Sequence, residues 1–158
     1  MKRTIAPTTL VMAFATVFAL GIVPRAQAGQ DKECSNATLR GSFGFTSTGT
    51  LLAIPAPSAG PFAEIGRQTF DGTGDNTEGT ATLSANGNIN HVTFSGTYAV
   101  SPDCTGSMTL VVLPSGRTIT LEFVIDDDGA ELRAILTSTP SGNTESRIYT
   151  KQFSRKDQ

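Results

Sequence analysis

Residues 118–129 read TITLEFVIDDDG, and this stretch decides the class of the fold. Every second position from Ile119 to Ile125 is apolar, and the positions between them are mostly polar. A period of two is typical of a β-strand that buries one face. The Asp128-Gly129 pair that follows tolerates positive φ angles and is typical of a two-residue hairpin. The stretch therefore predicts a strand that turns back onto an antiparallel neighbour.

The rest of the mature chain consists of short runs of the same kind, without helical periodicity of useful length. Asn86-Gly87 predicts a second tight hairpin, and Pro102-Asp103 predicts a further turn. Residues 51–61 contain three prolines and no charged residue, which predicts a loop over a barrel mouth or at a sheet edge. These signals predict eight strands, at about 39–48, 62–71, 78–85, 90–100, 105–113, 118–125, 131–138 and 144–153.

Eight strands joined mostly by tight hairpins indicate an up-and-down meander. Such a sheet must protect its edges, and closure into a barrel removes them. A β-sandwich is the alternative, but the absence of tryptophan and the short connections weigh against an immunoglobulin-type sandwich. The sequence therefore predicts an all-β fold, an eight-stranded antiparallel up-and-down barrel.

The N-terminus has the pattern of a secretory signal peptide. Lys2-Arg3 precedes an apolar run at 10–23, and Ala26-Gln27-Ala28 is a small-residue cleavage site. The run is shorter than the roughly 18 residues of an uncleaved membrane anchor, which is the alternative. We expect cleavage after Ala28 and a secreted or periplasmic protein without a membrane anchor. The predicted organisation is a signal peptide at 1–28, a lead-in segment at 29–38, a barrel domain at 39–153 and a frayed tail at 154–158.

The predicted mature chain is acidic. Removal of Lys2, Arg3 and Arg25 leaves 9 of the 12 basic residues against 14 acidic ones, a net charge of −5. The remaining basic residues are scattered, whereas nucleic-acid binding needs a clustered basic face. We therefore exclude nucleic acid as a partner.

Cys34 and Cys104 are the two cysteines of the chain. In an oxidising compartment an isolated pair is usually a disulfide. A metal or redox site is the alternative, but the chain has no C-x-x-C motif and a single histidine. We predict a Cys34–Cys104 disulfide.

Strand parity predicts which side chains face the interior, because alternate residues share one face of a strand. In the run at 62–71, an inward Phe70 brings Gln68 and Glu64 inward, whereas the other parity brings Ile65 and Arg67 inward. We choose the Phe70 parity because burial of a phenylalanine removes more apolar surface from water.

The predicted site combines one carboxylate with apolar walls. A buried carboxylate is unfavourable unless its pKa rises or it gains a partner, and such groups are candidates for function. The alternative places Glu64 at the barrel rim, in water. The predicted ligand-binding residues are Glu64, Gln68, Tyr98, Phe43, Phe45, Phe94 and Phe123.

No catalytic motif is recognisable. The chain lacks a nucleophile elbow and a phosphate-binding loop, and its histidine, His91, lies on the polar face of its strand. A calcium site in the glycine-rich segment around Asp71, Asp75, Asn76 and Glu78 is an alternative to a plain loop. We expect no catalytic residue, no metal and no cofactor.

Three segments carry a resemblance. Residues 96–107 read GTYAVSPDCTGS, residues 70–74 read FDGTG and residues 39–45 read LRGSFGF. Their glycine, turn and cysteine positions resemble those of small secreted bacterial proteins of unknown function, over most of the mature chain. The resemblance implies a β-barrel and no known chemistry. As an eight-stranded barrel the chain is also similar to lipocalins and to the allene oxide cyclase and dirigent type, a likeness of fold that does not carry function.

Three functions are compatible with these observations. The first is a secreted or periplasmic protein that binds a small apolar molecule inside its barrel. The second is a barrel cyclase or isomerase of the allene oxide cyclase type. The third is a packed structural or surface-interaction module. An ionisable group that faces apolar walls favours the first two, and turnover of a bound ligand distinguishes the second from the first.

Overall fold

The computed structural model describes residues 33–52, 59–138 and 143–153. The predicted signal peptide at 1–28, the tail at 154–158 and the middle of the loop at 51–61 lie outside the described residues. These three interpretations therefore stay predictions.

Eight antiparallel strands form a closed barrel in which spatial order follows chain order. The last strand pairs with the first over Phe43–Thr50 and Thr144–Lys151, which closes the sheet. The barrel prediction is confirmed, and the sandwich alternative is wrong. The strands are β1 Arg40–Leu51, β2 Gly60–Asp71, β3 Asp75–Ala85, β4 Asn88–Val100, β5 Thr105–Leu113, β6 Arg117–Asp126, β7 Glu131–Ser138 and β8 Thr144–Lys151.

Some strand ends differ from the sequence prediction. β1 continues to Leu51, and Pro61 belongs to β2, where it pairs with Thr50 rather than lying in the loop. β3 begins at Asp75 and contains a register shift between Asn76 and Gly79. These segments join the sheet through backbone hydrogen bonds, which need no alternation of apolar side chains.

Helical structure is minor. Asn36–Thr38 and Asp127–Gly129 each form a single 3-10 turn. Among the described residues, no helix is long and apolar enough to span a bilayer.

The described part of the lead-in segment, residues 33–38, packs against one end of the barrel, which we call the closed end. It is the end formed by the β2–β3, β4–β5 and β6–β7 turns. Leu39 is completely buried there, and a Cys34–Cys104 disulfide joins the lead-in to the β4–β5 turn with Cα atoms 5.0 Å apart. The Asn36 side chain donates to the Thr73 carbonyl at 3.0 Å and accepts from the Val100 amide at 2.8 Å. The predicted disulfide is therefore confirmed, and it is compatible with an extracellular or periplasmic location.

Aromatic side chains fill the barrel from the closed end to its middle. Phe70 lies at the centre of this core, with edge-on contacts to Phe43 and Tyr98 at ring-centroid distances of 5.3 and 5.1 Å. Such edge-on pairs are favourable because the positive ring edge meets the negative face of its neighbour. The largest completely buried side chains include Tyr149, Phe43, Phe70, Met108, Leu110, Leu121 and Leu132.

The parity chosen for β2 is the one observed. Glu64, Gln68 and Phe70 are buried, whereas Ile65 is 64% exposed. The β1–β2 pairing runs from end to end without a register shift, so Gly66 introduces no bulge between these strands. The carboxylate of Glu64 therefore lies inside the barrel.

Candidate functional site

A cavity of about 430 Å³ opens at the barrel end opposite the lead-in. We call this end, at which β1, β3, β5 and β7 finish, the open end. Small-molecule sites typically occupy about 300–1,000 Å³. Half of the described lining residues are apolar: Leu51, Phe62, Leu83, Val92, Val112, Pro114, Ile119 and Leu136. Uncharged polar side chains line it as well: Asn90, His91, Ser115 and Asn143.

Three charged side chains, Glu64, Glu145 and Arg147, line the same cavity and form what we call the base triad. Arg147 Nη2 lies 3.2 Å from Glu64 Oε2, and Arg147 Nε contacts Glu145 Oε1. Ser47 Oγ donates to Glu64 Oε2 at 3.0 Å. These groups meet because β1, β2 and β8 each turn the named side chains toward the barrel interior. Every side chain in the two ion pairs is less than a tenth exposed.

Aromatic rings support the guanidinium of Arg147. Its Cζ lies 4.8 Å from the centroid of Phe45 and 5.9 Å from that of Phe94, within cation–π range. Guanidinium has five N–H donors, and Arg147 Nη1 is buried without a hydrogen-bond partner among the residues the structure describes. Arg147 therefore lines the cavity while its Nη1 is buried in the barrel interior with unused donor capacity.

Burial raises the pKa of Glu64 above its usual value. Removal from water disfavours the charged carboxylate, and the nearby Glu145 adds to this effect. Arg147 and the hydrogen bond from Ser47 act in the opposite direction without cancelling it. For Arg147 burial opposes the charge, but the adjacent Tyr149, Glu145 and Glu64 outweigh it, so the pKa of Arg147 is raised.

A neutral polar layer lies below the base triad. The Tyr149 hydroxyl donates to Gln68 Oε1 at 3.1 Å, and Gln68 Nε2 lies 3.5 Å from Met108 Sδ. Tyr149 and Gln68 are completely buried, and burial raises the pKa of Tyr149. This layer separates the cavity from the aromatic core.

The seven predicted site residues all point inward, but they lie at different depths. Glu64 lines the cavity, while Phe45 and Phe94 lie behind it against Arg147. Gln68 lies one layer deeper, and Phe43 and Phe123 belong to the core.

Tyr98 lies at the closed end. Its hydroxyl accepts from the Gly72 amide and lies 2.9 Å from the Leu39 carbonyl oxygen. The structure therefore does not bring Tyr98 to the cavity. Its hydroxyl instead anchors the lead-in segment.

Sequence reasoning missed Ser47, Glu145, Arg147 and Tyr149. β8 alternates with period two, but its inward face is polar while Ile148 points outward and is half exposed. An apolar pattern therefore could not reveal its parity. The usable signal was indirect: an inward Glu64 requires a cation, and Arg147 shares its parity with Tyr149.

Hydrogen bonds within the chain shape the acidic segment around the β2–β3 turn. Asp71 Oδ1 accepts from the backbone amides of Thr73, Gly74 and Asp75, and these hydrogen bonds shape the turn. Asn76 and Glu78 belong to β3 rather than to a loop. Within residues 33–52, 59–138 and 143–153, no group of three or more His, Cys, Asp or Glu side chains is placed to hold a metal. The calcium alternative is thus not supported.

Comparison with known proteins identifies the architecture. No protein-family model matches the chain, and no curated protein is similar to it. The chain is similar to a solved structure of a redesigned β-barrel, with 12% sequence identity and a TM-score of 0.50. The similarity covers 75% of this chain and 95% of that protein. At this identity the likeness concerns the fold alone.

Proposed function

We propose that this protein binds a small, largely apolar molecule in the cavity at the open end of its barrel. The observation that carries the proposal is an apolar-walled cavity with a buried, incompletely hydrogen-bonded arginine in its lining. Ligand sites typically combine mostly apolar walls with a few polar groups that orient the ligand. The ligand's apolar body contacts the walls, and its polar group accepts from Arg147.

The position of the polar groups supports binding over a purely structural barrel. A packed module gains nothing from three ionisable side chains in its interior, because burial of charge is unfavourable even when the charges are paired. The core below Gln68 and Tyr149 is packed with apolar side chains, so the barrel is already stabilised without the triad. The triad lines the cavity at the open end.

A cavity-filling variant tests the proposal. Leu136 lines the cavity, so Leu136→Trp places an indole in the space of the ligand. Its neighbour Ile135 points outward and is 57% exposed, so Ile135→Trp is the matched control. Binding of the neutral probe N-phenyl-1-naphthylamine is measured by fluorescence titration of the wild type and both variants.

We expect the wild type and Ile135→Trp to bind the probe and Leu136→Trp to bind at least about tenfold more weakly, which is about 1.4 kcal/mol. Equal affinity in all three proteins contradicts the cavity as the site. Absence of binding in the wild type favours the packed module. Chromatography and NMR of the recovered ligand distinguish binding from turnover: an unchanged covalent structure argues for binding, whereas an isomer of the same mass argues for the cyclase alternative.

A further inference from the structure

The base triad has no excess positive charge. Two carboxylates, Glu64 and Glu145, pair with one guanidinium, that of Arg147. The formal charge of the triad is −1 when both carboxylates are ionised. It is 0 when Glu64 holds a proton. In neither state does the triad carry a net positive charge.

The remaining charged residue of the cavity lining, Arg117, does not belong to the triad. It begins β6 at the open end and is partly exposed. The exposed His91 side chain makes its hydrogen-bond contact with Thr82, 3.2 Å away. Residues 53–58 and 139–142, which the structure does not describe, contain no ionisable side chain in the sequence. The charge at the bottom of the cavity is therefore set by the base triad, Glu64, Glu145 and Arg147.

We infer that the ligand's polar group is an uncharged hydrogen-bond acceptor, such as the carbonyl of a ketone or ester, and that the cavity discriminates against carboxylates. This inference rests on the proposed function, because it concerns the ligand of the same cavity. A carbonyl oxygen needs one donor, and the guanidinium of Arg147, which lines the cavity, has five N–H groups and a buried Nη1 without a partner among the described residues.

The energetic argument concerns desolvation. A carboxylate that enters the cavity loses its hydration shell and is compensated only by a net positive environment. Here its charge meets Glu64 and Glu145 as well as Arg147, and like charges at short range reduce affinity. A neutral carbonyl loses far less hydration and regains one hydrogen bond. We therefore expect the cavity to bind the neutral carbonyl compound more tightly than the carboxylate.

A matched pair of compounds tests the inference. Decanoic acid and 2-undecanone have the same chain, with a methyl group in the ketone where the acid has its hydroxyl. Each compound is titrated at neutral pH as a competitor of bound N-phenyl-1-naphthylamine. The titrations are made with the wild type, with Glu145→Gln and with Arg117→Gln. We expect the wild type to bind the ketone at least about tenfold more tightly than the acid.

The variants locate the origin of the preference. Glu145→Gln removes one negative charge from the triad, so we expect the ratio of the two affinities to fall severalfold. Arg117→Gln removes a positive charge from the cavity lining outside the triad, so the preference for the ketone should persist or increase. If Glu145→Gln fails to fold, the wild-type comparison decides alone.

Two outcomes overturn the inference. Acid binding as tight as ketone binding overturns it but leaves the proposed function intact, because the probe and both compounds still enter the cavity. A preference that stays unchanged in a folded Glu145→Gln variant overturns the role of the triad. Absence of probe binding to the wild type, in contrast, removes the proposed function together with this inference.

Discussion

Phe45 on β1 lies directly opposite Gly66 on β2, and the Phe45 ring occupies the space that a side chain at position 66 would fill. A Cβ atom at Gly66 would lie 2.6 Å from Phe45 Cζ. Opposite residues share one face of the sheet, so both positions face the interior. The glycine makes room for a ring that in turn supports the guanidinium of Arg147. Three further pairs have the same arrangement: Gly49 with Phe62, Gly79 with Phe94, and Gly106 with Phe123.

Gly66→Ala therefore lowers stability by about 1–3 kcal/mol, the usual effect of an overpacked core. The added methyl group meets the Phe45 ring and the Thr80 carbonyl oxygen, which is 2.4 Å away and belongs to the backbone. The matched control is Gly44→Ala on β1, where the nearest atoms belong to the Gln152 side chain at 3.4 Å and beyond. Urea unfolding measures both variants. If Gly66→Ala and Gly44→Ala are equally stable, the claim that the Phe45 ring needs the space beside Gly66 is contradicted.

These pairs show what a sequence pattern can and cannot predict. The alternation at 118–125 is sufficient to predict a strand, because each apolar residue indicates by its position which face of the strand is buried. The glycine–phenylalanine pairs involve residues from neighbouring strands, and their register follows only from the closed sheet. Likewise, Glu64 was predictable as an interior carboxylate, but its partner Arg147 lies on a strand whose inward face is polar. The lead-in was predictable as a segment, whereas its anchoring by Asn36 and Tyr98 depends on contacts distant in sequence.

Residues 1–28 provide a prediction about processing. We propose that they direct export and are removed, because a charged start, an apolar run and a small-residue site follow one another there. The intact mass of the exported protein should correspond to a chain that begins at Gly29. A released protein that retains residues 1–28 contradicts the proposal.

The Cys34–Cys104 disulfide is expected to be a major stabilising element. It joins residues 70 apart in sequence, and in the chain-entropy model a loop of this size is worth roughly 4 kcal/mol. The Cys34→Ser/Cys104→Ser variant should lose about this amount of unfolding free energy. Because the bridge lies at the closed end, probe binding at the open end should persist wherever the variant is folded. Unchanged stability contradicts the structural role.

Arg147→Met tests the buried ion pairs. Removal of the guanidinium leaves Glu64 and Glu145 buried without their cation, which typically lowers stability by about 3–5 kcal/mol. Arg133→Met is the control, because its ion pair with Asp126 at 2.7 Å is exposed to water and contributes little. Urea unfolding at neutral pH should separate the two variants clearly. Equal losses of stability contradict the assignment of the triad as a buried network.

Glu64→Gln reveals the raised pKa of Glu64 through the pH dependence of stability. Because burial raises the pKa of Glu64 in the folded state, the folded protein holds this proton at pH values where the unfolded chain has released it. The stability that Glu64 contributes is thus fully present below its ordinary pKa and is lost as pH rises through the raised pKa. Glutamine cannot titrate, so the unfolding free energy of Glu64→Gln relative to wild type should increase from acidic to neutral pH.

Ser47→Ala provides a second test of the same carboxylate. The Ser47 hydroxyl donates to Glu64 Oε2 and thereby holds the pKa of Glu64 down. Its removal should raise that pKa further and extend the pH range over which stability falls.

Urea unfolding across this range, with wild type and both variants in the same buffers, measures the differences directly and cancels the titration of carboxylates that all three proteins share. A Glu64→Gln difference that stays flat, or that decreases toward neutral pH, refutes the raised pKa of Glu64.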